Sequence, residues 1–294
     1  MMKWLLLVAV VAYASADSSE DGVGGSRIIG GRFYKKNEYP FIVGIAEVKR
    51  RKRGYASFCG GSIITPTTSI TAAHCTDKVI KSRVKTVVLL GNPRSLYPVV
   101  IKVAAIQQHA GYIARIFIND ISILTLASSI NFNKNIGPVC LPQSGLDVTG
   151  QTVRVLGWGA EKYEGLNTLK PKKFDTTAVP INSCASTWGG KIPTWNPIQI
   201  CTQSRRETAC QGDSGGPVVW LDPQTNRYTL VGLVSYGFYC SVKRPSVNTR
   251  VAAFITWIQQ QIALTMPSTM CIKPITGIPV AFPNRMEFPF KIWK

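Results

Sequence analysis

From Phe41 to about Arg250, apolar residues fall in short runs broken by Gly, Pro and Asn. Phe41–Ala46, Ser62–Ile64, Thr86–Leu90, Val99–Ala105, Val153–Trp158, Pro217–Trp220 and Leu230–Tyr236 are rich in β-branched and aromatic residues, and each reads as a strand. Many short strands with few helical stretches between them predict an all-β barrel or sandwich. The period changes once, over Val251–Thr265. There Phe254, Trp257, Ile258 and Ile262 recur at spacings of three and four, the mark of an amphipathic helix. Beyond it, residues 267–294 form a Pro-punctuated, moderately apolar C-terminal extension. No internal repeat is present.

The start of the chain follows a different logic. Met1-Met2-Lys3 is a short charged segment, Trp4–Tyr13 an apolar run and Ala14-Ser15-Ala16 a small-residue cleavage site, so residues 1–16 read as a signal peptide. No later apolar run approaches the roughly 20 residues of a spanning helix. The expected product is secreted, extracellular and soluble, without a membrane span. Residues 17–27 are acidic, rich in Gly and Ser and free of apolar periodicity, which suits a flexible pro-segment.

An oxidising destination changes the meaning of the eight cysteines. They are expected as disulfide partners, since their wide spacing lacks the short-range pairs of zinc sites. The chain carries 34 Lys and Arg against 15 Asp and Glu, a net charge of +19. Such a balance favours anionic surfaces, acidic proteins or polyanions and decides nothing about fold. The charge peaks in Lys49-Arg50-Arg51-Lys52-Arg53, with Lys78, Lys81, Arg83 and Lys85 available to extend it. That block reads either as a solvated loop open to tryptic nicking or as an exosite for polyanions and acidic partners.

Three fragments carry chemistry. Gly212-Asp213-Ser214-Gly215-Gly216-Pro217 presents a serine, which needs a general base within hydrogen-bond reach to act as a nucleophile. Thr71-Ala72-Ala73-His74-Cys75 supplies one of only two histidines, and Asn119-Asp120-Ile121 supplies a carboxylate to orient it. Together, in the chain order His, Asp, Ser, these fragments resemble the chymotrypsin/trypsin family of serine endopeptidases. His109, in Gln107-Gln108-His109-Ala110-Gly111-Tyr112, resembles a non-catalytic histidine common in that family.

The resemblance implies two six-stranded antiparallel β-barrels within residues 28–266, joined near residues 131–141, with the site in the cleft between them and a C-terminal α-helix. It implies His74 as base, Asp120 as orienting carboxylate, Ser214 as nucleophile, and the Gly212 and Ser214 amides as the oxyanion hole. The family more often reads Asp-Ile-Ala-Leu where this chain has Asp120-Ile121-Ser122-Ile123, a small change in size. Arg27-Ile28-Ile29-Gly30-Gly31 resembles the family's activation junction. Cleavage after Arg27 by a trypsin-like protease would free the Ile28 amino group to pair with Asp213. Family matching also selects the bridges Cys59–Cys75, Cys184–Cys201 and Cys210–Cys240, leaving Cys140 and Cys271 to pair with each other.

The specificity pocket would be built by Thr208, Ser235, Tyr236, Gly237 and Ser246. Thr208 stands where a trypsin-like member carries aspartate. A Lys or Arg substrate side chain would therefore be buried unpaired, and a preference for apolar side chains is expected. Ser246, at a wall position that is glycine in the deepest pockets, should narrow it. The loop that binds calcium in some relatives matches Leu90–Val99, which lacks acidic residues, so no metal and no cofactor are expected. Expected partners are protein and peptide substrates and protein protease inhibitors, with the enzyme a monomer. The competing reading is a non-catalytic family member that binds polyanions or proteins through its basic loops.

Overall fold

Residue alternation builds the sheets. In Lys172–Val179, Lys172, Phe174, Thr176 and Ala178 are buried, while their neighbours lie nearer the surface. That period of two gives a strand with one face turned inward. Thr86–Leu90 is buried at every position, because both of its faces are covered. The computed structural model describes residues 31–35, 37–49, 54–91, 98–168, 170–263 and 271. Within them the chain opens with β1 (Arg32–Phe33), β2 (Ile42–Lys49), β3 (Gly54–Thr65) and β4 (Thr68–Thr71). Helix α1 (Ala73–Ser82) follows, then β5 (Thr86–Leu90), β6 (Val99–Gln108) and β7 (Ser122–Leu126). The second half holds β8 (Thr152–Gly157), β9 (Lys172–Val179), α2 (Ile181–Thr187), β10 (Gln199–Gln203), β11 (Pro217–Asp222), β12 (Arg227–Tyr236) and β13 (Ser246–Arg250). A 3-10 turn at Val251–Phe254 leads into α3 (Ile255–Ala263).

All pairings between these strands are antiparallel, and they close two six-stranded barrels. The first runs β2-β3-β4-β7-β6-β5 and back to β2. The second runs β8-β9-β10-β13-β12-β11 and back to β8. The expected architecture is present, and each run read as a strand lies in one, allowing a residue or two at the ends. The strands β1, β4, β7, β9, β10 and β13 add to those runs. The helix predicted over Val251–Thr265 is present as the 3-10 turn and α3, with Phe254, Ile258 and Ile262 buried.

Val43, Ile45, Ile63, Val88 and Leu124 pack together from strands of the first barrel. Val153, Val155, Phe174, Val218 and Val231 do the same for the second. A third cluster joins the two: Phe41, Ile70 and Ile121 meet Leu156, Leu230, Phe254, Ile258 and Ile262. Fully burying one such side chain contributes about 1.5–3 kcal/mol. This shared cluster therefore holds the two barrels against each other.

Four disulfides add covalent ties: Cys59–Cys75, Cys140–Cys271, Cys184–Cys201 and Cys210–Cys240. Among the described residues, no helix is long and apolar enough to cross a membrane.

Candidate active site

Helix α1 starts immediately after β4, and His74 falls in its first turn. The Cys59–Cys75 bridge ties that turn to β3. The His74 backbone N–H donates to Asp120 Oδ1 at 2.8 Å, and His74 Nδ1 lies 2.8 Å from Asp120 Oδ2. Asp120 is 1% exposed. Because a carboxylate only accepts, the neutral imidazole carries its proton on Nδ1 and leaves Nε2 free to accept another. Asp120 is fixed in turn from the second barrel. Ser235 Oγ donates to its Oδ2 at 2.5 Å, and Thr249 Oγ1 donates to its backbone carbonyl at 2.6 Å. Just before it, Phe117 and Asn119 both take positive φ, 53° in each case. This bend carries the Phe117 ring to 5.7 Å from the His74 ring, measured between centroids.

Ser214 lies in the turn before β11, and the backbone of that turn is docked on the segment carrying His74. Gly60 N–H donates to the Ser214 carbonyl at 2.8 Å, while Thr71 Oγ1 donates to the Gly60 carbonyl at 2.8 Å. Gly215 N–H donates to Val234 at 2.7 Å and Gly216 N–H to Asp213 at 2.8 Å. Gly212 has φ +94°, a conformation L side chains rarely adopt, and a Cβ there would also strike the Asn167 amide. Glycine is what lets this backbone turn beside the serine.

Asp213 is fully buried. Its Oδ1 accepts Gly159 N–H at 2.7 Å and its Oδ2 accepts Cys210 N–H at 3.0 Å. A Cβ at Gly157 or Gly159 would overlap the carboxylate, so these glycines permit its close approach. Burial pushes the carboxyl up to about 6 against the two amide bonds and the positive charge of Lys172, which act downward.

Thr208 is buried, its Oγ1 3.2 Å from Ser246 Oγ and 3.4 Å from the Ala209 carbonyl. The two hydroxyls satisfy each other and place no formal charge there. Gly237 is exposed, and a Cβ on it would stand 3.7 Å from Ser246 Oγ, so the Ser246 hydroxyl faces Gly237. The Tyr236 ring packs 5.2 Å from Phe117 and 5.2 Å from Trp188. Ser235, expected on the pocket wall, directs its hydroxyl to Asp120.

Some expectations fall outside the described residues: the signal peptide, the pro-segment, the junction Arg27 and Ile28, and Arg50–Arg53. Of the cationic block, Lys49 is described, and its Nζ is 3.2 Å from Glu47 Oε2. Of the C-terminal extension, Cys271 is described, bridged to Cys140 and accepting Leu141 N–H at 2.7 Å on its carbonyl. His109 packs against Phe254 and Trp257 at 5.4 and 5.1 Å, and burial lowers its imidazole below the ordinary range. Cys59, His74 and Cys75 cluster closely enough to suggest a metal site, but both sulfurs are consumed in one disulfide.

Sequence reasoning missed Thr249, Thr71, Phe117, Asn167 and Lys172. Only Lys172 left a local signal: it lies two, four and six residues from Phe174, Thr176 and Ala178, on the inward phase of β9.

Comparison with known proteins gives the same answer as the geometry. The family described as Trypsin matches residues 28–258. A venom serine protease of Polistes dominula is 30% identical over 286 residues, covering 91% of this chain and 96% of that protein. Trypsin delta of Drosophila erecta is 32% identical over 266 residues, 88% of this chain and 98% of the other. Venom serine protease 34 of Apis mellifera is 32% identical over 255 residues, 80% of this chain and 58% of that longer protein. Two closed antiparallel barrels, a His74–Asp120 pair with its carboxylate buried and a serine turn docked beside it thus coincide with matches spanning most of the chain: it belongs to the chymotrypsin/trypsin-like serine protease family.

Proposed function

We propose that this chain is a secreted, extracellular serine endopeptidase, activated by cleavage after Arg27, that hydrolyses peptide bonds following apolar side chains. One observation carries the reading: the Asp120 carboxylate, shielded from water, takes both the backbone N–H and Nδ1 of His74 and so aims Nε2 outward as a base.

In this reaction Ser214 Oγ attacks the scissile carbonyl carbon as its proton passes to His74 Nε2. The carbonyl π pair moves onto oxygen, which the Gly212 and Ser214 amides receive. Collapse of that intermediate expels the amine, protonated by His74, and leaves an ester on Ser214. Water, deprotonated by His74, attacks the ester and regenerates the serine. Asp120 stabilises the imidazolium formed in each half. Each oxyanion donor is worth on the order of 100- to 1000-fold in rate.

Before cleavage, Asp213 lacks the ammonium that Ile28 would bring. Afterwards the pair orders the loop carrying Gly212. Thr208 and Ser246 make a pocket base that is polar and uncharged, which favours apolar side chains over Lys or Arg. Protein and peptide substrates, a trypsin-like activator and protein inhibitors are the partners this chemistry calls for.

The test is labelling by a fluorophosphonate before and after cleavage at Arg27. Labelling at Ser214 should rise steeply on cleavage and vanish in Ser214→Ala. A cleaved, folded chain that neither labels nor turns over peptides would leave a binding protein in its place.

A further inference from the structure

Arg244 stands at the far end of a row of rings that begins at the candidate base. From His74 the row runs to Phe117 at 5.7 Å, to Tyr236 at 5.2 Å, to Trp188 at 5.2 Å and to the Arg244 guanidinium at 5.5 Å. The guanidinium also lies 4.4 Å from the centroid of the Phe238 ring. Trp188 Nε1 donates to the Pro245 carbonyl at 3.1 Å, which fixes the indole against the segment carrying Arg244. The Cys210–Cys240 bridge ties that segment to the loop before Ser214. Two aromatic faces thus hold the guanidinium, and the side chain stays partly exposed. Stacked in this way, a planar guanidinium keeps its edge N–H groups for a carboxylate. Among the described residues, no carboxylate lies within ion-pair distance of it. The surrounding residues 185–200 and 237–246 contain no Asp or Glu. Lys243, Arg205 and Arg206 are exposed, and Gln203 Nε2 donates to the Val242 carbonyl at 3.4 Å, which joins their two loops.

We propose that Arg244 is a specificity-determining residue: it takes an acidic side chain of the peptide substrate, Asp or Glu, upstream of the scissile bond. The inference rests on the proposed endopeptidase reading and adds a second requirement on the same substrate. Tyr236, the expected pocket residues Gly237 and Ser246, and Arg244 all belong to one segment, residues 236–246. A peptide whose side chain fills the pocket therefore continues along this wall. Four contacts of the length given above put Arg244 at most roughly 20 Å from His74, which an extended peptide covers in about six residues at about 3.3 Å each. Because the row need not be straight, the acid falls about three to six residues before the scissile bond. A carboxylate there accepts two guanidinium N–H groups side by side. Stacking restrains the arginine before the substrate arrives, so less side-chain freedom is lost on binding. The neighbouring cations draw acidic peptides towards this rim but supply no fixed geometry.

The experiment uses the full chain cleaved after Arg27 and peptides that share one apolar residue before the scissile bond. Each pair of peptides differs only by Glu or Gln, at one position from the third to the sixth before that bond. At one of these positions kcat/KM should favour Glu by about fivefold, the scale of a partly exposed ion pair. Arg244→Gln should remove the difference between Glu and Gln, and Arg244→Glu should invert it and favour Lys at the same position. Lys243→Gln should keep most of the preference. No preference at any position in the wild type, or equal losses in Arg244→Gln and Lys243→Gln, would overturn the proposal. Arg244→Lys should shrink the preference while keeping its sign, and it decides the matter should the other two variants fail to fold; a preference left at full size would then count against the proposal. The affinity of the same peptides for the cleaved Ser214→Ala chain gives a readout that needs no turnover. A cleaved chain that hydrolyses neither peptide yet binds the Glu form more tightly would overturn the endopeptidase reading and leave the assignment of Arg244 standing.

Discussion

Ser235 Oγ and His74 Nδ1 share one acceptor, Asp120 Oδ2, at 2.5 and 2.8 Å. The carboxylate is thus held from both barrels at once, by a helix of the first and a strand of the second. Loss of the Ser235 donor should loosen the imidazole without touching substrate. Ser235→Ala is expected to lower kcat about tenfold, from one charge-assisted hydrogen bond, with KM nearly unchanged. Asp120→Asn should fold normally and lose about 10⁴-fold, because the amide supports the wrong tautomer. Steady-state kinetics on the cleaved variants check both, and a Ser235→Ala enzyme at full kcat would remove Ser235 from the positioning network.

Under the proposed function, the Thr208–Ser246 hydroxyl pair sets a selectivity that can be measured. On peptides differing only in the residue before the scissile bond, kcat/KM for the best of Phe, Leu and Ala should exceed that for Arg by roughly 100-fold. That is the scale set by burying a cation without a counterion. An Arg peptide that wins by tenfold would show that charge reaches the pocket from elsewhere.

The Asp213 carboxyl, pushed up to about 6, gives activation a pH signature. A buried acid with a raised value destabilises the fold once it ionises; the penalty is present above about pH 6 and disappears as the group protonates on acidification. In the proposed activation, cleavage brings an ammonium that offsets this penalty. The gain in Tm on cleavage should therefore be largest near pH 7 and shrink towards pH 5, where Asp213 takes up its proton. Scanning calorimetry of cut and uncut chains checks this, and an equal gain at both pH values would exclude Asp213 as the partner.

The Cys140–Cys271 bridge spans 131 residues of sequence. In the chain-entropy view a loop this long is worth at most about 5 kcal/mol. Replacing both cysteines with serine should lower Tm by several degrees and leave peptide hydrolysis of the cleaved enzyme intact. Non-reducing peptide mapping of the wild type should recover the two cysteines in one linked fragment.

The fragments bearing His74, Asp120 and Ser214 stood out in the sequence because each is a dense local motif, and the structure brings His74 and Asp120 within 2.8 Å. The barrels were legible because β5, β8, β11 and β12 are short, apolar and bounded by turn residues. Helix α1 was hidden: Ile80 and most of its later residues face solvent, and its buried positions are Ala73, Cys75, Thr76 and Val79. Ser122 looked like a neutral exchange for alanine. Its hydroxyl accepts a 3.1 Å hydrogen bond from Thr76 beneath that helix, a pairing set by residues 46 apart. The link from Ser235 to Asp120 crosses 115 residues and leaves no trace in the local pattern. The alternation of β9 puts Lys172 on the buried face with Phe174, Thr176 and Ala178, yet that run is not among those read as strands, and by itself its lysine gave no sign of burial.

Strand β1 lies at the very start of the described chain, yet it pairs with β9 of the second barrel, and Arg32 reaches Asp175 there at 3.0 Å. From the other end, α3 brings Ile258 and Ile262 into the cluster that contains Phe41, Ile70 and Ile121. Each half of the polypeptide is thus fastened by a piece of the other, like two hands with interlaced fingers. Severing the covalent connection between the barrels would not yield two separable modules. Fragments made on either side should stay unfolded alone and regain structure only when mixed.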